Sequence, residues 1–160
     1  MTELEITPCL WFDGRAEEAA EFYVGVFDDA RILKVVHNGP GMPGTQGSVL
    51  TVDFEIQGQR ITALNGGPEF TFSEAFSLQV PCADQAESDR YWYALLEGGG
   101  QESQCGWLKD RFGFSWQVFP RELDDLVTDP DPGRAERAVK AMLTMQRIDI
   151  EEVRRAADAA

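Results

Sequence analysis

One order of elements, β-α-β-β-β, can be read twice along this chain, over residues 5–66 and again over residues 75–119. In the first pass, Glu5–Phe12 is short, β-prone and mostly apolar. Ala16, Ala19, Ala20, Tyr23 and Phe27 then recur at helical spacing and predict a helix ending near Asp28. Asp13 is the expected N-cap, and Glu17 and Glu18 sit in the first turn, where the helix dipole favours acids. Strands are predicted over Arg31–Asn38, Ser48–Ile56 and Gln59–Asn65, with a Gly- and Pro-rich loop at 39–47 and a tight turn at Gln57-Gly58. In Ser48–Ile56, Leu50, Val52, Phe54 and Ile56 share one face, while the other carries Val49, Thr51, Asp53 and Glu55, of which only Val49 is apolar, so one face is buried and one is wetter.

The second pass begins with a strand over Ala75–Cys82. Asp84-Gln85-Ala86-Glu87 has the form of a capping box, and a helix to about Glu97 carries Tyr91, Trp92, Leu95 and Leu96. Gly98-Gly99-Gly100 ends it. Short strands follow near Ser103–Cys105 and Trp107–Lys109, then a turn over Asp110–Gly113 and a closing strand over Phe114–Phe119. The helices carry matched aromatic pairs, Phe22-Tyr23 and Tyr91-Trp92. A repeat of this kind predicts an α+β fold of two pseudo-symmetric modules whose strands curve around a shared cavity.

Residues 1–120 are therefore read as the paired-module domain and 121–160 as a helical extension. A short helix is predicted over Arg121–Val127. After Asp129-Pro130-Asp131-Pro132, an apolar stripe of Ala135, Ala138, Val139, Met142 and Leu143 predicts a helix to about Gln146. Asp149 is placed to cap a last helix over Ile150–Ala157. The stripe needs a covering surface, either the same sheet or a partner subunit.

Charge narrows the function classes. Lys plus Arg total 14 against 28 for Asp plus Glu, a net charge of -14. Such a field repels phosphate backbones and anionic lipid, so neither nucleic acid nor a membrane is an expected partner. Cys9, Cys82 and Cys105 are odd in number and far apart, which points to a reducing, cytoplasmic setting. The N-terminus has no apolar signal region and no stretch has the length of a membrane span.

Several segments carry a resemblance. Ile6-Thr7-Pro8, Leu10-Trp11-Phe12-Asp13-Gly14, Ala16-Glu17-Glu18-Ala19 and Phe22-Tyr23 lie in the first half, with Ala63-Leu64-Asn65-Gly66-Gly67-Pro68. Gln104-Cys105-Gly106-Trp107-Leu108-Lys109-Asp110, Gly113 and Ser115-Trp116-Gln117-Val118 lie in the second, and Asp129-Pro130-Asp131 and Met145–Ile150 extend it into the tail. With these the chain resembles the PhnB-like branch of the vicinal oxygen chelate superfamily, which holds glyoxalase I, bleomycin- and fosfomycin-resistance proteins and extradiol dioxygenases. The resemblance implies two βαβββ modules packed as a cup, a small organic ligand, and assembly as a homodimer. Members of the branch are often labelled 3-demethylubiquinone 3-methyltransferases. No Gly-rich strand-turn-helix loop for S-adenosylmethionine is found here, and Asn65-Gly66-Gly67-Pro68 reads as a turn.

Metal-dependent relatives place His or Glu on the first and last strands of each module. The matching positions here are Thr7 or Pro8, Thr62 or Leu64, Ser77–Gln79, and Gln117, none of them His, Asp or Glu. Neutral amides hold transition metals poorly. No metal and no other cofactor is therefore expected, and His37 reads as a loop-edge residue. Cys105 is the candidate reactive thiol, with Lys109 the nearest cation, against a plainer role as a small buried residue; Cys9 and Cys82 read as core. Asp53 and Glu55 read as exposed on the wetter face, and Glu69 and Glu74 flank a loop near a possible cavity mouth; none has a distinct catalytic setting. Trp11, Trp107, Trp116, Phe54, Phe70 and Phe72 supply aromatic surface. The expected ligand-binding lining is Thr62, Leu64, Gln79, Cys105, Trp107 and Gln117. Binding and catalysis both remain open. A metal-dependent glyoxalase- or dioxygenase-like enzyme and an interaction module using the tail helices are the competing readings.

Overall fold

The computed structural model describes residues 3–159. The chain divides into two compact units, Met1–Thr71 and Phe72–Ala160.

The first unit runs β1 (Cys9–Phe12), α1 (Ala16–Val26), β2 (Ala30–His37), β3 (Val49–Ile56) and β4 (Gln59–Asn65). Its sheet has the order β1-β4-β3-β2, with β1 parallel to β4 and the other pairs antiparallel. The alternation read in β3 is realised: Val52, Phe54 and Ile56 are buried with Leu10, Phe12, Ile61 and Ala63. Ala16, Ala19 and Ala20 of α1 are fully buried, because methyl side chains bring the helix axis close to the sheet. Tyr23 stacks on Phe54 with ring centroids 5.9 Å apart. Edge strand β2 carries two register shifts against β3, which disturb the regular ladder another chain would need for pairing.

Two expectations change here. Arg15, not Asp13, occupies the N-cap position of α1 and makes no side-chain cap bond. The Ala16 N–H instead donates to Asn65 Oδ1 at 2.9 Å, so the cap comes from the end of β4. The first strand begins at Cys9 rather than Glu5, with Pro8 just before it; the Pro8 carbonyl still accepts from Thr62 N–H at 2.9 Å.

The second unit repeats the plan with β5 (Ser77–Cys82), α2 (Gln85–Leu96), β6 (Gln101–Glu102), β7 (Trp107–Lys109) and β8 (Ser115–Pro120), in the order β5-β8-β7-β6. The strand permutation equals that of the first unit, so the repeat read from sequence is a repeat of topology. The capping box forms: Asp84 Oδ1 accepts from Glu87 N–H at 2.9 Å, and Glu87 Oε2 accepts from Ala83 N–H at 2.6 Å. The strand expected near Ser103–Cys105 lies earlier, at Gln101–Glu102. Residues 104–107 form the hairpin turn instead, with Cys105 at φ 57° and Gly106 at φ 81°, the left-handed pair that a tight hairpin turn requires.

Asp110 fixes the next turn. It is buried, its Oδ1 accepts from the N–H groups of Phe112 (2.9 Å) and Phe114 (3.1 Å), and its Oδ2 accepts from Trp116 Nε1–H (2.8 Å).

The tail belongs to the second unit. Helices α3 (Glu122–Val127), α4 (Pro132–Met142) and α5 (Ile150–Asp158) enclose a cluster of Leu123, Leu126, Ala138, Met145, Ile148 and Val153 that joins Phe119 of β8. Burying an aliphatic side chain of this size contributes about 1.5–3 kcal/mol. The predicted stripe is rotated: Ala138, Ala141 and Met142 meet the cluster, whereas Leu143 lies at the helix end and is exposed. Asp131 and Asp149 cap α4 and α5, accepting from Gly133 N–H and Glu152 N–H. Arg154 of α5 grips Glu122 of α3 through two hydrogen bonds of 2.8 and 2.6 Å. After α4 the chain turns back. Cys105 N–H and Gly106 N–H donate to the carbonyls of Met145 and Gln146 at 2.8 Å each, and the Gln85 amide bonds Ile148 O and Ile150 N–H.

Candidate functional site

Each sheet buries one face under its helix, and the alternate positions, mostly half-exposed with Ser115 a buried exception, form its other, more open face. Register and alternation then set the open-face rows. In the first unit one row runs Cys9, Thr62, Asp53, Lys34, and the next runs Trp11, Leu64, Thr51. In the second unit one row runs Ser77, Ser115, Lys109, Gln101, and the next runs Gln79, Gln117, Trp107. Thr62 and Leu64 lie on β4, the topological counterpart of β8, which carries Gln117; Gln79 lies on β5, the counterpart of β1.

On the first unit's open face, Thr62 Oγ1–H donates to Asp53 Oδ1 at 2.7 Å and Arg60 Nη2 donates to Asp53 Oδ2 at 3.0 Å. Burial pushes the Asp53 carboxyl up. The bonds from Thr62 and Arg60, with the charges of Arg60 and Lys34, outweigh it and hold the group below its ordinary value. Asp53 is therefore an ionised anchor rather than a proton donor at neutral pH. Cys9, expected in the core, is exposed on this face because its position in β1 is the one that points away from α1. Its thiol is pushed up by burial and by Asp53.

The second unit's open face holds a recess of about 210 Å³, lined by Glu74, Gln101, Ser103, Trp107, Lys109 and Ser115 among others. Ser115 is 1% exposed and its hydroxyl oxygen has no hydrogen-bond partner. Lys109 Nζ lies 2.6 Å from Glu74 Oε1 and, mainly through that bond, holds the Glu74 carboxyl below its ordinary value. Gln117 Nε2–H donates to Ser77 Oγ at 2.9 Å, which orients its amide on the same face. A hydroxyl that both donates and accepts, an ammonium–carboxylate pair and an indole wall suit a small polar organic molecule.

Of the expected lining, Trp107 enters this recess, while Gln117 and Gln79 share its face. Cys105 does not line it; the half-buried residue sits in the hairpin turn with its backbone tied to Met145. Thr62 and Leu64 lie on the first unit's sheet. Phe54 and Trp116 are core, since both point under the helices. Cys82 is core too, its thiol pushed up to about 11 by burial, with the Glu87 charge adding to it. Sequence reasoning missed Ser115 and assigned Lys109 only to a thiolate. The available signal was parity, since Ser115 is two residues before Gln117 on one strand and shares its face.

His37 is exposed at the end of β2, opposite Val49. Among the described residues, no three His, Cys, Asp or Glu side chains are grouped as a metal ion requires. The Gly66-Gly67 segment does not suit S-adenosylmethionine: the Gly66 N–H donates to Phe12 O, and the next element is strand β5, not a helix. No described helix is long and apolar enough to cross a membrane.

Comparison with known proteins places residues 4–119 in the sequence profile of the 3-demethylubiquinone-9 3-methyltransferase family. The PhnB protein from Bacillus cereus is 32% identical and superimposes with a TM-score of 0.66 over 73% of this chain and 99% of its own. Protein PA1353 from Pseudomonas aeruginosa, 21% identical, gives a TM-score of 0.60 over 71% of this chain and 95% of its own. The fosfomycin resistance protein FosX from Mesorhizobium loti, 16% identical, gives 0.52 over 72% and 90%; the last two share the fold alone. No curated protein matches the chain.

Proposed function

The chain belongs to the 3-demethylubiquinone-9 3-methyltransferase family in its PhnB-like form, and from that premise we propose that it binds a small polar organic molecule on the open face of its second sheet. The observation that carries the proposal is the buried, unpartnered Ser115 hydroxyl in a recess walled by Trp107 and the Lys109–Glu74 pair. An unpaired buried hydroxyl costs about 1–3 kcal/mol, a cost a bonded ligand removes. In this reading Ser115 and Lys109 orient polar groups of the ligand, Trp107 covers its apolar part, and Gln79 and Gln117 border it. Thr62 and Leu64 hold the corresponding face of the first unit's own sheet. Methyl transfer is not part of this reading, because among the described residues the Gly66-Gly67 segment bonds back to Phe12 and leads into a strand, which does not suit S-adenosylmethionine. A recess of about 210 Å³ is below the usual 300–1,000 Å³ of drug-sized sites, so the ligand is metabolite-sized.

The test is a saturation-transfer NMR screen of hydroxy-, keto- and amino-acids of up to about ten heavy atoms, run on the wild type and on Ser115→Val and Lys109→Met. Hits whose affinity falls tenfold or more in either variant, with far-ultraviolet circular dichroism unchanged, support the proposal. Hits that bind both variants as well as wild type, or no hits at all, defeat it.

A further inference from the structure

The first unit holds a larger recess, of about 830 Å³, at the end of its sheet where β1, β4 and the loop between β2 and β3 meet. That volume is in the range of sites for small organic ligands. Trp11, Leu50 and Leu64 form apolar wall, and Asp13 and Glu17 bring carboxylates. Among the described residues, no Lys, Arg or His lines it. Arg15, the nearest cation in sequence, is bonded to Glu18 at 2.9 and 2.7 Å. The N-terminus of α1 opposes a cation with roughly half a charge, against two full charges from the acids.

A second observation is independent of charge. Asn38 lines the recess at 5% exposure. Its Nδ2 donates to Ser48 Oγ at 3.1 Å, and the Ser48 hydroxyl donates onward to Thr45 O at 2.6 Å. That chain sets the orientation of the amide and leaves Asn38 Oδ1 as a buried acceptor without a donor. Gly44, part of the recess wall, lies against it: a Cβ there would stand 2.5–2.8 Å from the Asn38 amide atoms. A ligand that donates an N–H and carries positive charge would complement both the carboxylates and this acceptor.

We infer that this recess binds a small organic ammonium ion, with Asp13 and Glu17 supplying charge, Asn38 Oδ1 accepting an N–H, and Trp11 and Leu64 covering the carbon skeleton. The net charge of -14 also raises the local concentration of cations over that of anions.

The probe is phenethylammonium, titrated calorimetrically into the full chain at low ionic strength and pH 7, beside 2-phenylethanol and 3-phenylpropionate as neutral and anionic matches. Phenethylammonium is expected to bind one to one and at least tenfold tighter than the alcohol, and the carboxylate is expected to give no saturable heat. The surface variant Asp13→Asn with Glu17→Gln should weaken it tenfold or more without loss of fold. In proton–nitrogen NMR spectra the Trp11 indole and Asn38 carboxamide signals should move on titration. Equal affinity for the alcohol, undiminished binding by the double variant, absence of binding, or shifts centred on the Trp107 indole would each overturn the assignment.

Discussion

Replacing Asp110 tests the turn that sets β7 against β8, and the cost can be worked from its partners. The carboxylate is 3% exposed and accepts from Phe112 N–H, Phe114 N–H and the Trp116 indole. Phe114 and Trp116 are 1% and 2% exposed, so water does not readily replace the lost acceptor at either. Asp110→Ala strands both of those donors. At about 1–3 kcal/mol per stranded donor the gross loss is roughly 2–6 kcal/mol. Relief from burying a charge returns part of it, leaving a net loss of about 2–4 kcal/mol. Asp110→Asn keeps one acceptor oxygen for the two backbone groups but turns an NH₂ toward the indole. It strands one donor and should cost about 1–2 kcal/mol. For a chain of this length each kcal/mol lowers Tm by about 2–4 °C, so the alanine variant should melt roughly 5–15 °C early. Urea unfolding followed by tryptophan fluorescence, with near-ultraviolet circular dichroism as a second probe, measures both variants. An alanine variant within about 0.5 kcal/mol of wild type, well short of the stranded-donor cost, would refute the reasoning. So would an asparagine variant that costs more than alanine.

Three further perturbations follow from the geometry. Cys105→Asn places a residue suited to the left-handed region at φ 57°, and should raise stability by about 0.5–1 kcal/mol in the same urea assay. Gly66→Ala puts a Cβ 2.4 Å from ring atoms of Trp11, whose indole N–H is bonded to Gly67 O at 2.8 Å and whose edge meets Phe70. The ring must move, at about 1–3 kcal/mol, and the Trp11 indole NMR signal should shift. The folded Asp53 carboxyl titrates below its ordinary 3.8, so its contribution is present above that pH and is lost as pH falls through the folded value. Thermal scans should show the wild-type advantage over Asp53→Asn shrinking below about pH 4 and constant above pH 5.

The repeat was legible because it is written in local periodicity. Val52, Phe54 and Ile56 alternate, Ala16, Ala19, Ala20 and Tyr23 recur at helical spacing, and Asp84 and Glu87 carry their cap within four residues. What failed depended on distance. The cap of α1 comes from Asn65, 49 positions away, and no local pattern announces it. Residues 103–105 look like strand, but tail carbonyls from residues 145 and 146 receive the N–H groups of Cys105 and Gly106 and brace the turn. The candidate surface was read from sequence only in part. Gln79 and Gln117 were named because they match ligand positions of metal-dependent relatives, and Trp107 for its aromatic surface, whereas Ser115 and Asn38 stand out only once the atoms around them leave an oxygen unpaired. An orphaned acceptor is a property of surroundings, not of residue type.

The pairing of residues 145–148 with the 104–107 turn and with Gln85 also orders events on the ribosome. The first unit closes all its own pairings within 71 residues. The second cannot complete the contacts around its β6–β7 turn until Ile150 has been made, because Met145, Gln146, Ile148 and Ile150 supply the backbone partners. At about 5–20 residues per second, that interval is several seconds of synthesis. Through it the N-terminal half is expected to be folded while Phe119, Leu123 and Leu126 await Met145, Ile148 and Val153. The growing chain thus has a defined window in which its second apolar cluster is half-covered, and slowed translation between residues 120 and 150 would lengthen it.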